Sequence, residues 1–168
     1  MSKAKPLPEM VPPPNKGEKR IYCVVAHTVQ PLEYETGRSF PLQNVPATVQ
    51  PPGRQIAQAC HAVSLLRLFM AVKQPQPVEL IPITTIILQA RDTFELVHIQ
   101  SLLNERRIFN YAFYDHDQPD YGSIDTLAQS PGDVGAGHVF TALATEPIDA
   151  DQACTILDYL PLWGAGVK

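Results

Sequence analysis

Three polar side chains at helical spacing are where chemistry starts in this sequence. In the stretch Gly53-Arg-Gln-Ile-Ala-Gln58-Ala-Cys-His61-Ala62, Arg54, Gln58 and His61 fall at i, i+4 and i+7. On a helix those positions stack on one face. Arg54 lies in the first turn, where unpaired backbone N–H groups and the dipole favour an anion. A guanidinium, an amide and an imidazole converging there suit holding a phosphate or carboxylate and acting on a neighbouring bond. The same spacing equally suits an ordinary solvated face with His61 bonded to backbone. Asp115 closes a predicted strand and Thr141 lies within another. Residues at strand ends are where layered α/β sheets place working groups. Turn initiation also explains Asp115, because Asp117, Pro119 and Asp120 follow it, and Thr141 also reads as β-branched strand filler.

The elements that must position these residues follow from the hydrophobic pattern. Ile21 to Ala26 is a short continuous apolar run, as a buried strand requires. Residues 28–52 hold five prolines and no period, which predicts a loop or arm packed on the surface. From Gly53 to about Lys73 the pattern is helical, with Ile56, Ala59, Cys60, Val63, Leu66 and Met70 expected inward. Thr84 to Ala90 reads as a second buried strand. Asp92 and Glu95 form a capping box opening a helix to about Arg107, with Phe94, Leu96, Ile99 and Leu103 inward. Phe109 to Tyr114 alternates as a third strand, with Phe109, Tyr111 and Phe113 on one face. Residues 116–136 form a second irregular insert, and His138 to Thr145 is a fourth strand. Asp149 and Gln152 make another capping box, starting a helix to about Leu160. Strands alternating with helices predict an α/β layered fold, and the last two strands, joined without a helix, predict an antiparallel pair in a mixed sheet.

Taken in order, the quoted helix motif, Tyr114-Asp115, and Gly137-His-Val-Phe-Thr141-Ala-Leu-Ala-Thr-Glu-Pro147 resemble the type-2 peptidyl-tRNA hydrolases. The resemblance covers about residues 20–26 and 53–160. It implies a three-layer α/β/α fold with a four-stranded mixed sheet. It also implies hydrolysis of the ester between a peptide and the 3′-terminal ribose of tRNA, a reaction of translation that needs no metal or organic cofactor. By resemblance, Arg54, Gln58, Asp115 and Thr141 are the catalytic residues, and Gly53 and His61 bind substrate. Peptidyl-tRNA is the implied partner, and a small mixed sheet leaves room for a homodimer.

This chain departs from the family pattern in four places. Arg54 stands where the family has Lys, which keeps the charge but forbids proton transfer. His116-Asp117-Gln118 and an acidic insert (Asp117, Asp120, Asp125, Asp133) replace a short turn after the acid. The 28–52 excursion exceeds the family's short connection, and the Gly137-to-Thr141 spacing is one residue longer. Two alternatives therefore stand beside the hydrolase: an esterase on a smaller, less anionic substrate, and a hydrolase-like binding domain impaired in turnover.

Composition bounds these readings. A chain of 168 residues suits one domain, here 20–168, preceded by a Pro/Lys-rich arm at 1–19 expected to be disordered. Ten of the 17 prolines precede Gly53, so the irregular stretches concentrate in the first third. Residues 1–20 carry five Lys/Arg against two Glu, a net of +3. The remaining 148 carry 8 basic and 15 acidic residues, a net of −7, giving the total of −4. Such a body is a poor generic polyanion binder, because phosphate binding rests on Lys and Arg displacing counterions. The longest apolar runs, such as Ile83 to Leu88, fall well short of the ~20 residues of a membrane span, so a spanning protein is not expected. No apolar stretch follows Lys3 and Lys5, as a secretory signal requires. A cytoplasmic protein without membrane contact is the expectation. Cys23, Cys60 and Cys154 form no CxxC pair, so reduced buried thiols are expected, with Cys60 on the buried stripe. His27, His98 and His116 lack metal spacing with Cys or acid, and Trp163 is expected to dock on the core.

Overall fold

The computed structural model describes residues 18–30, 32–35, 38–41, 47–73, 83–116 and 138–165. In chain order its elements are β1 (Ile21–Ala26), β2 (Thr28–Val29), β3 (Leu32–Glu35), β4 (Arg38–Pro41), β5 (Thr48–Val49), α1 (Pro52–Lys73), β6 (Thr85–Ala90), α2 (Thr93–Glu105), β7 (Asn110–His116), β8 (His138–Thr145) and α3 (Ala150–Leu157). Residues 1–17 of the expected arm and 117–136 of the expected insert lie outside the described residues.

All six residues of β1 are buried, which is why the run reads as uninterrupted apolar sequence. It is an inner strand of a four-stranded sheet of order β6-β1-β8-β7. β1 and β6 run parallel, from Ile21 opposite Thr85 to Ala26 opposite Ala90. A parallel pair needs a long crossover, and α1 lies within it. β8 is antiparallel to both β1 and β7, so the sheet is mixed, and the last two strands form the antiparallel pair expected of them.

Alternation along the strands divides the core into two faces. Tyr22, Val24 and Ala26 share one cluster with Leu96, Ile99 and Leu103 of α2 and with Ala153, Ile156 and Leu157 of α3. Ile21, Cys23 and Val25 share the other with Ala59, Ala62 and Leu66 of α1. Local chemistry sets the helix ends. Asp92 accepts from the N–H of Glu95, while the Glu95 carboxylate reaches one residue further back than a capping box, to the N–H of Arg91. Asp149 and Gln152 form the full reciprocal box. α2 ends with Arg107 at φ 57 and with bonds from Arg107 N to Asn104 O and Ile108 N to Leu103 O. That is a Schellman ending with arginine at the position usually held by glycine.

Several expectations change. The buried face of α1 is Gln55, Gln58, Ala59, Ala62 and Leu66; Ile56, Val63 and Met70 are half-buried and Cys60 is exposed. The sheet beneath carries Cys23, Ala142 and Ala144. Small residues on both sides let the helix approach closely, and the two amides are buried because they find partners. Phe94 is exposed, since it sits one position off the Leu96–Ile99–Leu103 stripe. The third strand starts one residue later and runs two residues further than expected, which places Asp115 inside its last turn of pairing. α3 stops at Leu157. Residues 28–52 are not uniformly irregular: β2 pairs with β5 and β3 with β4. Ladders of two to four residues are too short to leave a period. Finally, α1 is long and apolar enough by length and composition to cross a membrane, which a reading of short apolar runs missed because Arg54, Gln58 and Arg67 interrupt it. It packs along the sheet through the face just described.

The chain end covers the outer edge of β6. Gln89 N donates to Pro161 O, Trp163 N donates to Ile87 O, and Leu88 bridges Leu162. An added segment of this kind blunts an otherwise open edge strand. Gly164, at φ 84, then turns the chain, with Ala165 N bonded to Leu162 O. A left-handed residue is required at that corner, and glycine adopts it without steric cost.

Candidate functional site

α1 lies across the sheet so that its Gln58 meets the end of β7. Gln58 Nε2 donates to Asp115 Oδ2 at 2.5 Å, a contact between residues 57 positions apart. Gln58 is 4% exposed, and its Oε1 is buried with no donor among the described residues. A buried acceptor left without a donor costs about 1–3 kcal/mol, so the amide is held for its contact with the carboxylate at the expense of its other end. Asp115 is half-buried and projects from the α1 face of β7, two residues after Phe113. Arg54, also half-buried, is one turn N-terminal of Gln58 on the same side of the helix. His61, one turn beyond Gln58, stacks on Phe113 with ring centroids 5.2 Å apart and planes 18° from parallel. The polar stripe of α1 therefore faces the sheet edge at β7. It is not the solvated outer face that its spacing also allowed.

Thr141 is placed differently. The register of β7 and β8 shifts between Phe113, opposite Ala142, and Tyr114, opposite Phe140. Thr141 is thus the extra residue of a β-bulge, which bends the strand and re-aims its side chain. Its hydroxyl donates to Phe113 O at 3.4 Å and the residue is 2% exposed. Gly53 lies in the first turn of α1, where an added Cβ meets nothing within 4 Å. Packing does not demand glycine there; the missing side chain keeps the start of the helix open.

A second polar cluster went unseen in the sequence. Gln55 Nε2 donates to Gln50 O at 2.7 Å, and Gln55 Oε1 accepts from Gln89 Nε2 at 2.8 Å and from Trp163 Nε1 at 2.9 Å. Gln50 Nε2 donates to Ala26 O, and Gln89 Nε2 also approaches His27 Nδ1 at 3.4 Å. These residues gather at the ends of the parallel strands β1 and β6 beside the start of α1. A signal existed: three glutamines flank strand and helix ends otherwise poor in polar residues. Trp163 docks on the core as expected, and the partner of its ring nitrogen is the new information.

The electrostatics separate buried from accessible groups. Burial, with a smaller contribution from Cys60, pushes the Cys23 thiol up to about 12. Its Sγ contacts Ala59 O beneath α1 and is inert as a nucleophile at neutral pH. Cys60 and Cys154 are exposed, against the expectation of buried thiols, because each lies on a helix face turned away from the sheet; neither is in a disulfide. Among the described residues no three His, Cys, Asp or Glu side chains come together as a metal site. Scanned against protein-family models and compared with curated proteins, the chain matches neither.

Proposed function

We propose that this chain hydrolyses the ester joining peptide to tRNA in peptidyl-tRNA, on a three-layer α/β/α fold of the type-2 peptidyl-tRNA hydrolase kind. The observation that carries the reading is the Gln58–Asp115 hydrogen bond, with Arg54 one turn away on the same helix. In this reading Asp115 takes a proton from water as that water attacks the ester carbonyl carbon. The ribose oxygen leaves with the proton, giving a free peptide carboxylate and tRNA. Gln58 holds the carboxylate in place, and Arg54 stabilises the tetrahedral oxyanion by charge alone, since a guanidinium stays protonated. Thr141 is buried and donates to Phe113 O, which favours water over its hydroxyl as the nucleophile. Gly53 and His61 border the substrate, and the expected setting is cytoplasmic translation.

A second reading, a hydrolase-like binding domain without turnover, is favoured by the arginine at position 54 and by the burial of Thr141. An esterase on a smaller substrate fits the acidic body. Incubation with peptidyl-tRNA separates the three. The proposal expects release of free tRNA by the wild type, and Arg54→Lys stays within about tenfold of it because only charge is used. tRNA binding with a steep salt slope but no release supports the binding domain, as does a large gain of rate in Arg54→Lys. Neither release nor a salt-dependent interaction leaves the small-ester reading.

A further inference from the structure

The far end of the seam between α1 and β7 carries a surface of different character, about 20 Å along the strand from Asp115. Phe69 of α1 stacks on Phe109 with ring centroids 5.0 Å apart and planes 12° from parallel. Tyr111 tilts against the same ring at 6.3 Å, and the Lys73 ammonium lies 5.1 Å from its centroid. Next to this cluster, Leu68 and Val72 stand one turn apart on one side of the helix. They are 56% and 79% exposed, and Phe109 is 36% exposed. Together they make an apolar ridge at the corner of the molecule.

Cations flank the ridge although the chain as a whole is acidic. Arg67 and Lys73 lie on α1, which carries no acidic residue, and Arg106 and Arg107 lie in the turn from α2 into β7. All four are exposed, and none forms a salt bridge among the described residues. Glu105 and Glu146 share the corner, but Glu146 Oε1 is engaged by Phe109 N at 2.9 Å. The acidic helix α3 leads instead to the opposite edge of the sheet, at β6. Arg107 carries a further sign. Its φ of 57 is the left-handed conformation that strains a β-carbon and suits glycine. Arg106, in ordinary backbone at φ −85, already offers a cation to the negative end of the α2 dipole. An arginine in the strained position therefore points to work done by its side chain.

We propose that this corner seats the protein on an anionic membrane surface, with Leu68, Val72 and Phe109 entering among the acyl chains and Lys73, Arg106 and Arg107 meeting the headgroups. Exposed aliphatic side chains gain nothing from the phosphates of a nucleic acid. A peptide or partner helix docks in a groove, whereas Val72 stands out from the surface. A bilayer with anionic headgroups is the partner that uses the apolar ridge and the surrounding charge at once. The contact is peripheral, and it departs from the expectation of no membrane contact. It stands apart from the hydrolase reading, since it uses none of Arg54, Gln58, Asp115 or Thr141.

The full chain is sedimented with vesicles of phosphatidylserine and phosphatidylcholine in equal parts, and with vesicles of phosphatidylcholine alone. It pellets with the mixed vesicles only, and added salt releases it. Val72→Glu, at a position too exposed to disturb the core, lowers the affinity by about tenfold or more. Arg106→Ala lowers it about fivefold, as expected for one cation near a charged bilayer. Arg107→Gly lowers it by a similar factor while the urea midpoint of unfolding holds or rises, because glycine suits that backbone. The proposal is overturned by no pelleting, by equal pelleting with both vesicles, or by wild-type affinity in Val72→Glu. It is also overturned if Arg107→Gly binds as the wild type and unfolds at lower urea, which would give Arg107 to the end of α2. A dimer in solution that Val72→Glu splits would assign the ridge to a second copy and overturn it equally.

Discussion

Gln55 and Gln58 sit three residues apart on α1, are 2% and 4% exposed, and yet stand in opposite situations. Gln55 joins Gln50, Gln89 and Trp163 on the β6 side, with both ends of its amide engaged. Gln58 faces the β7 side, gives one N–H to Asp115, and leaves its oxygen buried without a donor. A saturated buried amide strengthens a fold, whereas an unsaturated one weakens it and persists where something else requires it. The comparison assigns the two flanks of one helix different work. The β6 flank fastens α1, the chain end and the parallel strands together. The β7 flank fixes the position of a carboxylate at the expense of stability.

The largest effect expected from this contrast is on turnover at the β7 flank. Asp115→Asn keeps the size of the side chain and still offers Gln58 an acceptor. Peptidyl-tRNA hydrolysis falls by about 100-fold or more, while the free energy of unfolding in urea moves by less than about 0.5 kcal/mol. A comparable loss of stability would place Asp115 with the structural flank. The converse holds on the other side. Gln55→Leu leaves Gln89, Trp163 and the carbonyl of Gln50 short of partners and lowers unfolding free energy by about 2–3 kcal/mol, with hydrolysis per folded molecule unchanged. If turnover falls instead and stability holds, the division between the flanks is wrong.

Cys23 lies under the helix between the two flanks and supplies the smallest test. Burial raises its pKa to about 12 in the folded chain from an ordinary 9.0. The folded state keeps the thiol protonated where the unfolded state ionises it. The stability this contributes is fully present below the unfolded value and is lost as pH rises toward about 12. Unfolding free energy should therefore decline across that alkaline window, and Cys23→Ala should decline less steeply. In the folded chain a thiol reagent labels Cys60 and Cys154 and reaches Cys23 only on unfolding. Prompt labelling of all three would show that α1 does not seal the sheet.

What was legible in the sequence was local or continuous. The run Ile21–Ala26, the boundaries of β8, the box of Asp149 and Gln152 and the stripe of Leu96, Ile99 and Leu103 each carry their reason within a few neighbouring residues. The rotation of α1 was not legible by the same means. Apolarity points Ile56, Cys60 and Val63 inward, whereas the helix turns to bury Gln55 and Gln58 because their partners lie on β6, on β7 and at the chain end. No periodicity encodes partners 34 and 57 positions away. Asp115 was singled out because strand ends are informative, whereas the bulge at Thr141 left no mark in the local pattern. The short ladders of residues 28–52 left no pattern that single-residue preferences could reveal, and the glutamines at the strand and helix ends were visible as residues but not as partners of one another.

The central claim is that Gln58 and Asp115 act as one unit in the proposed hydrolysis, and a double-mutant cycle tests it most directly. Single-turnover rates on peptidyl-tRNA are measured for the wild type, Gln58→Met, Asp115→Asn and the double variant. If the amide works by holding the carboxylate, the double variant is no slower than Asp115→Asn alone, because the positioned group is already gone. Losses that multiply, or a Gln58→Met variant as fast as the wild type, would contradict the account.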